Sequence, residues 1–345
     1  MSVEQVSKDA QFPRLMSYVV GNQAAWFTAI GLKSGLFRAI ADAGDTGTTD
    51  DALVEQLGDH PRYVRVWCLG AYASELLAWD AASGYRLAPH LTSLLLDPAD
   101  PQFMGGRMLF YTALYEDYLT FPDHLRSGAV WPRSDHDPFI LRALEAMTTP
   151  DCVMITEHVL PQAPDTLAVL EAGGRSLDIG AGGGAHVIHY AQRFPESDVV
   201  GLEPDEQSID NARRAVGEAA LGDRAELVVG DANTLDADRA FDLVTMNITL
   251  HETGGVEEYR NVLDRVRRAL KPGGAVVVSE IPYPDEPTTY RSNPVYRAMA
   301  GVQLHEALIG CGMITQGQLG ELLEDAGFDN VRVATQPMPT RHVMS

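Results

Sequence analysis

The segment Ser176-Leu-Asp-Ile-Gly-Ala-Gly-Gly-Gly-Ala-His186 constrains this chain more than any other. A short apolar run ends in Leu177, Asp178 and Ile179, and glycines follow at Gly180, Gly182 and Gly184 before helical sequence begins. A strand that turns sharply into a helix through such glycines lets a ligand lie against bare backbone, because no Cβ blocks the approach. Asp178, just ahead of the first glycine, adds a sign to the site. A carboxylate there suits a cationic or amine-bearing ligand and repels a pyrophosphate.

The pattern around this turn is strand–helix alternation, which specifies a parallel sheet covered by helices. Strands are expected at 175–179, 198–202, 225–229, 241–247 and 275–280, with helices between them at 184–193, 205–219 and 255–270. A helix over 316–326 and a last strand over 330–335 follow. The fold class is α/β, a Rossmann-like, doubly wound, mostly parallel sheet, preceded by a mainly α-helical domain. In that first part, Ala24, Ile30, Leu32, Leu36, Phe37 and Ile40 outline an apolar helical face. Thr48-Thr-Asp-Asp51 is an N-cap signal for a helix with Leu53, Val54 and Leu57 inside. A helix over 62–77 is expected to bury Val66, Leu69, Leu76 and Leu77, before a hairpin at 78–80 and 84–88. Three helices and a hairpin make a winged-helix pattern. The expected division is 1–100, a winged-helix domain; 101–165, an aromatic-rich helical connector lining a substrate pocket; and 166–345, the α/β domain.

Further landmarks fall where a doubly wound sheet places its ligand. Glu203 ends the second strand, 25 positions after Asp178, where a carboxylate can accept both hydroxyls of a ribose. Asp231 and Ala232 end the third strand, suited to an adenine amino group and ring nitrogen. Asn247 ends the fourth strand, facing the cofactor, and Leu270-Lys-Pro-Gly-Gly274 leads into the fifth. Together with Asp178, these point to S-adenosylmethionine (SAM) in preference to NAD. The chain resembles class I SAM-dependent methyltransferases in Asp178-Ile-Gly-Ala-Gly-Gly-Gly184, Glu203, Asp231 and Leu270-Lys-Pro-Gly-Gly274. The segment Ala29-Ile-Gly-Leu-Lys-Ser-Gly-Leu-Phe37 and the winged helix are similar to the dimerising domain of small-molecule O-methyltransferases. That resemblance implies a homodimer whose winged helix meets a second subunit, and methylation of a small metabolite.

The acceptor chemistry centres on His251, just past the fourth strand. It is the candidate general base for O-methylation, with Glu280 at the end of strand five orienting it or touching substrate. The resembled enzymes carry a His-Asp pair followed by Trp, whereas here Glu252, Thr253 and Gly254 follow. A second His-Glu pair, His305-Glu306, opens an alternative. In α-keto acid C-methyltransferases two such histidines hold a divalent metal, so His251 and His305 would be the ligands here. Without metal, His305 is a pocket residue, joined by Tyr111, Tyr115 and Met299 as substrate-binding candidates. His186 and His189 read as exposed or packing, and His136 and Asp137 as solvated surface. A third class, a SAM-sensing or winged-helix transcriptional regulator without catalysis, is opposed by charge.

The net charge is −22 and the pI near 4.7. Phosphate neutralisation needs basic surface, so no nucleic-acid partner is expected. Three scattered cysteines, Cys68, Cys152 and Cys311, and an N-terminus without an apolar core suit a reduced, cytoplasmic setting. No apolar run approaches the ~20 residues of a membrane span. Basic residues are mostly arginine and alanine is abundant, a bacterial, GC-rich composition.

Overall fold

Capping chemistry sets the ends of several helices in the N-terminal part of the chain. The computed structural model describes residues 7–100, 102–131, 135–136 and 138–345, so Asp137 lies outside the described residues. α1 (Lys8–Ser34) opens where the Ser7 hydroxyl accepts the Ala10 N–H and closes at Gly35, whose φ of +79° suits glycine. α2 (Leu36–Ala43) follows directly. Thr49 accepts the Ala52 N–H at 3.1 Å and starts α3 (Asp50–Leu57), as its N-cap sequence leads one to expect. Pro61 takes the first position of α4 (Pro61–Ala73), where its missing N–H costs nothing. The hairpin of β1 (Leu77–Asp80) and β2 (Gly84–Leu87) pairs Leu77 with Leu87 and Asp80 with Gly84. α5 (Leu91–Leu96) and α6 (Gly105–Ala113) complete a first unit, Met1–Ala113.

Phe37, Ile40, Leu53, Trp67 and Cys68 form the core of this unit, with the Phe37 and Trp67 rings edge-to-face at 5.2 Å. The buried stripe of α4 differs from the sequence expectation. Val64, Trp67, Cys68 and Ala71 are inside, while Val66 and Leu69 are 61% and 64% exposed. Trp67 decides the phase: its ring fills the core and its Nε1–H donates to the Phe27 carbonyl at 2.9 Å. The spacing i, i+3, i+4, i+7 then fixes the rest.

The second unit, Leu114–Ser345, takes the remaining chain, so the segment 101–165 is shared between the two. It opens with α7 (Tyr115–Ser127) and α8 (Pro138–Met154), a π-helical turn over Ile155–Val159, and α9 (Pro164–Glu171). The alternation follows: β3 (Arg175–Ile179), α10 (Ala185–Arg193), β4 (Asp198–Glu203), α11 (Glu206–Glu218) and β5 (Ala225–Val229). Next come β6 (Phe241–Asn247), α12 (Val256–Ala269) and β7 (Leu270–Glu280). α13 (Pro294–Ile309), α14 (Gln316–Asp325) and β8 (His342–Met344) end the chain.

The sheet order is β5-β4-β3-β6-β7-β8, parallel except for β8. Both faces are covered. Leu243, Val187, Tyr190 and Ile209 belong to one core, and Val244, Met246, Val262 and Leu263 to the other. The two central strands are accordingly buried on both faces over Ser176–Ile179 and Leu243–Met246. The expected strand at 330–335 is corrected: Val333 makes one isolated bridge with Met344, and His342–Met344 is the strand that joins the sheet. The antiparallel edge beside β7 is taken by the later segment, and 330–335 only borders it. β7 starts earlier than expected because Leu270 already pairs with Phe241, and Lys271 is held by Asp242 at 2.7 Å.

α12 is the helix whose burial follows most directly from its sequence, through Tyr259, Val262, Leu263, Val266 and Ala269. Leu263 is fully buried. Leu263→Ala is expected to cost about 2–5 kcal/mol by transfer and cavity terms, read as a lower urea midpoint of the C-terminal unit.

Candidate active site

β3 pairs with β4 on one side and β6 on the other, so the chain order reverses between β3 and β6. In doubly wound sheets the carboxyl ends of the strands at such a point form the ligand crevice. The glycine turn leaves β3 at this point. Gly180, Gly182 and Gly184 have φ of +79°, +50° and +85°. The Gly180 and Ala181 N–H groups both donate to the Leu202 carbonyl, at 2.8 and 3.1 Å, which ties the turn to the end of β4. A Cβ at Gly180 would strike the Thr249 side chain, and one at Gly184 would meet Ala212 Cβ at 2.9 Å. Gly182 faces open space. That is the cradle a ligand backbone contact needs.

The acidic landmarks take distinct positions around it. Asp178 is wholly buried, and the Thr245 hydroxyl donates to its carboxylate at 2.7 Å. Burial raises its pKa above the usual carboxylate range, against the opposing pull of His186 and Thr245. His186 is buried packing, its Nδ1 3.9 Å from Asp178, and His189 bonds the Thr156 hydroxyl at 2.9 Å. Glu203 reaches back from β4: one oxygen accepts the Gly182 N–H at 3.0 Å and the other the Asp205 N–H at 3.1 Å. Burial pushes the Glu203 carboxyl up, and these two donors oppose it. Asp231 accepts the Asn233 N–H at 2.8 Å and opens a single 3-10 turn over Ala232–Thr234, in which Ala232 is buried. Asn247 turns its amide to Asp151, 2.9 Å away, whose same oxygen accepts Arg341 Nε–H at 2.7 Å.

The exit from β6 is strained into place. Ile248 has a φ of +54°, a left-handed conformation that a β-branched residue adopts only when its surroundings impose it. Its N–H donates to the Ser279 carbonyl at 2.7 Å, pinning the exit to β7. Two residues later a single 3-10 turn, Leu250–Glu252, carries His251. His251 Nδ1 lies 2.7 Å from one Glu280 oxygen, and the His251 backbone N–H donates to the other at 3.3 Å. His251 Nε2 is 3.3 Å from Glu306 and 4.0 Å from Glu252. His251, Glu280 and Glu306 are all buried. Burial alone would lower the His251 pKa, but Glu280 and Glu306 together outweigh it and hold it well above the ordinary imidazole value.

The substrate candidates belong to different elements. Tyr111 lies on α6 of the first unit, Tyr115 is about half exposed at the start of α7, and Met299 is buried on α13. His305 does not share a group with His251. It bonds Asp117, beside His136, whereas His251 groups with Glu252 and Glu306. His136 is buried, not solvated: its ring stacks on Trp131 at 4.3 Å. Sequence reasoning missed Asp117, Asp151, Arg341 and the contact of Glu306 with His251. Glu306 alone had a signal, its place beside His305 in the second His-Glu pair.

Residues 177–274 match the family model described as a methyltransferase domain. The matched stretch lies wholly within the C-terminal unit. The chain is 28% identical over 189 residues to an arsenite methyltransferase of Halobacterium salinarum, covering 52% of this chain and 44% of that protein. It is 30% identical over 159 residues to a trans-aconitate 2-methyltransferase of Methylobacterium radiotolerans, covering 46% and 56%. The chain thus spans about half the length of these curated relatives. Its fold is similar along nearly the whole chain to mitomycin 7-O-methyltransferase (TM-score 0.69, 18% identity, 98% and 97% covered). It is also similar to human N-acetylserotonin methyltransferase (TM-score 0.68, 16%, 100% and 98%). The Rossmann-like sheet and the helical N-terminal region have the fold of these solved methyltransferases. Among the described residues, no helix is long and apolar enough to cross a membrane.

The geometry at His251 has a direct spectroscopic consequence. A raised folded-state value means the His251 ion pair stabilises fully below the unfolded imidazole's ~6.5 and that this contribution is lost as pH climbs through the raised value. In an NMR titration the His251 ring is expected to titrate above ~6.5. Glu280→Gln, which removes one of the two carboxylates, is expected to move it down.

Proposed function

We propose that this chain is a SAM-dependent methyltransferase that methylates a hydroxyl of a small-molecule metabolite, with His251 as general base. The observation that carries the reading is the buried His251–Glu280 contact of 2.7 Å at the switch point of a methyltransferase fold. The open, positive-φ glycine turn beside Glu203 supports SAM as the donor, as do solved relatives in complex with SAM or with SAH. Gly180, Gly182 and Gly184 would give it backbone, Glu203 the ribose contact, and Asp231 and Ala232 the adenine contact. Asp178 would act from beneath the turn. When bound, SAM supplies an electrophilic methyl group on a sulfonium.

The residues of the chain then have a limited task, which is to position the acceptor and take its proton. Glu280 fixes the His251 proton on Nδ1, leaving Nε2 as the acceptor atom. As the acceptor oxygen turns nucleophilic, Nε2 takes its proton, and the imidazolium formed is held by Glu280 and Glu306. The raised pKa makes neutral His251 a stronger base and a scarcer one near neutral pH. Turnover is therefore expected to rise with pH through a limb above ~6.5.

A screen of phenols, carboxylates and keto acids with methyl-labelled SAM identifies the acceptor. On that acceptor His251→Ala is expected to lower kcat by about 10²–10⁴ while SAM affinity, measured by calorimetry, stays within a few-fold. Full turnover in the variant overturns the base assignment. Gly180→Val tests the donor site separately: collision with Thr249 is expected to abolish calorimetric SAM binding.

We also propose a homodimer formed through the N-terminal helical unit. Phe12, Leu15, Val19 and Ile30 share one face of α1 and are exposed, more apolar surface on one helix than a free monomer ordinarily leaves to water. Sedimentation is expected to give twice the 37.5 kDa chain mass, and a Leu15→Glu, Val19→Glu double variant the single mass.

A further inference from the structure

A second cluster of chemistry-bearing side chains lies within the C-terminal unit, and methyl transfer as described above makes no use of it. Asp117 on α7, His136 ahead of α8 and His305 on α13 converge from three separate parts of the chain. One donor atom from each lies within 4.8 Å of the other two. His136 Nε2 is 3.1 Å from one Asp117 oxygen, and His305 Nδ1 contacts the other. Their side chains are 1%, 0% and 2% exposed for His136, Asp117 and His305.

A carboxylate withdrawn this fully from water needs compensating positive charge. A proton held by one of the imidazoles can supply it, and so can a divalent ion, which alone engages all three donors at once. The donor set selects the ion. Two imidazole nitrogens and one carboxylate oxygen suit first-row transition ions such as Zn²⁺, Co²⁺ and Fe²⁺, while Ca²⁺ and Mg²⁺ take oxygen ligands. Three protein ligands also leave coordination positions for water or another small ligand.

The supports of the group are built as well. The His136 ring stacks on Trp131 with planes 26° apart, and the far side of the pair is extended by His124, 6.0 Å from Trp131. The Trp131 N–H donates to the Leu308 carbonyl at 2.7 Å, which fastens this segment to α13 one turn beyond His305. Ligand rings fixed by stacking and by a backbone tie are the outer-shell support that metal sites use.

We propose that Asp117, His136 and His305 bind one divalent first-row transition ion per chain. The site stands apart from the His251, Glu252 and Glu306 group, and it holds whether or not His251 is the base. Because His305 and Glu306 are successive residues, the ion would also anchor the turn of α13 that brings Glu306 to His251.

Full-length protein is stripped with a chelator, dialysed and titrated with Co²⁺. The expected result is a saturable visible ligand-field absorption at one Co²⁺ per chain, displaced by Zn²⁺, with a higher Tm in Zn²⁺. His136→Ala and Asp117→Asn are expected to weaken Co²⁺ binding by at least about tenfold. His251→Ala is expected to leave it unchanged. If His136→Ala does not fold, His136→Cys replaces it, and a new thiolate-to-cobalt charge-transfer band is expected. Wild-type protein that takes up no stoichiometric Co²⁺ or Zn²⁺ overturns the proposal. So does binding lost in His251→Ala but kept in His136→Ala, or a His136→Cys spectrum identical to wild type.

Discussion

The pairing of β3 with β4 on one edge and β6 on the other is the constraint on which the rest of the C-terminal unit depends. It sets the exits of two strands side by side, the glycine turn after Ile179 and the Ile248–His251 segment after Asn247. Register carries the consequence to individual atoms. Asp178 lies opposite Thr245, so a buried carboxylate meets a hydroxyl donor across the ladder, and Gly180 lies against Thr249. A one-residue slip would turn every one of these side chains to the other face. The doubly covered sheet prevents that slip, because it would put Leu177 and Ile179 on the wrong core.

The ring of His251 sits between two buried carboxylates, Glu280 at 2.7 Å and Glu306 at 3.3 Å. Desolvation is the largest single influence on the ring and opposes protonation, yet the two carboxylates together overcome it. The magnitudes make that outcome reasonable: an ion pair near 4 Å at an effective dielectric of ~20 gains roughly 4 kcal/mol, and here there are two. The division of labour follows from geometry. Glu280 contacts both the ring and the backbone N–H of His251 and so fixes its orientation, whereas Glu306 faces the other ring nitrogen, Nε2.

What the sequence revealed and what it hid divide along contact range. Strands at 175–179, 225–229 and 241–247 appear with those bounds, because apolar runs flanked by turn residues are local signals. The glycine turn, Glu203 and Asp231 sit at strand ends and were legible for the same reason. The α4 stripe was misread by about one position, since the choice between Val66 and Trp67 is made by the bulk of a neighbouring core. His136 reads as solvated surface in the sequence, whereas the fold buries it between Trp131 and Asp117. The Asp117–His305 contact joins residues 188 apart, and the Asp151–Arg341 pair residues 190 apart. No periodicity or motif spans that distance.

The same division separates the two halves of the proposed reaction. The donor side is written in contiguous strand–turn–helix sequence, where glycine φ angles and one acid per strand end suffice. The groups past β6 are met instead through long-range packing: Glu306 of α13 reaches His251, and Asp151 of α8 meets Asn247. α13 joins the two charged groups there: successive residues lie about 100° apart around a helix, so His305 can face α7 while Glu306 faces the turn after β6. Substitutions in these helices can therefore alter what surrounds His251 without touching the glycine turn. In the proposed reaction the donor contacts and the acceptor contacts would therefore be held by different ranges of the sequence.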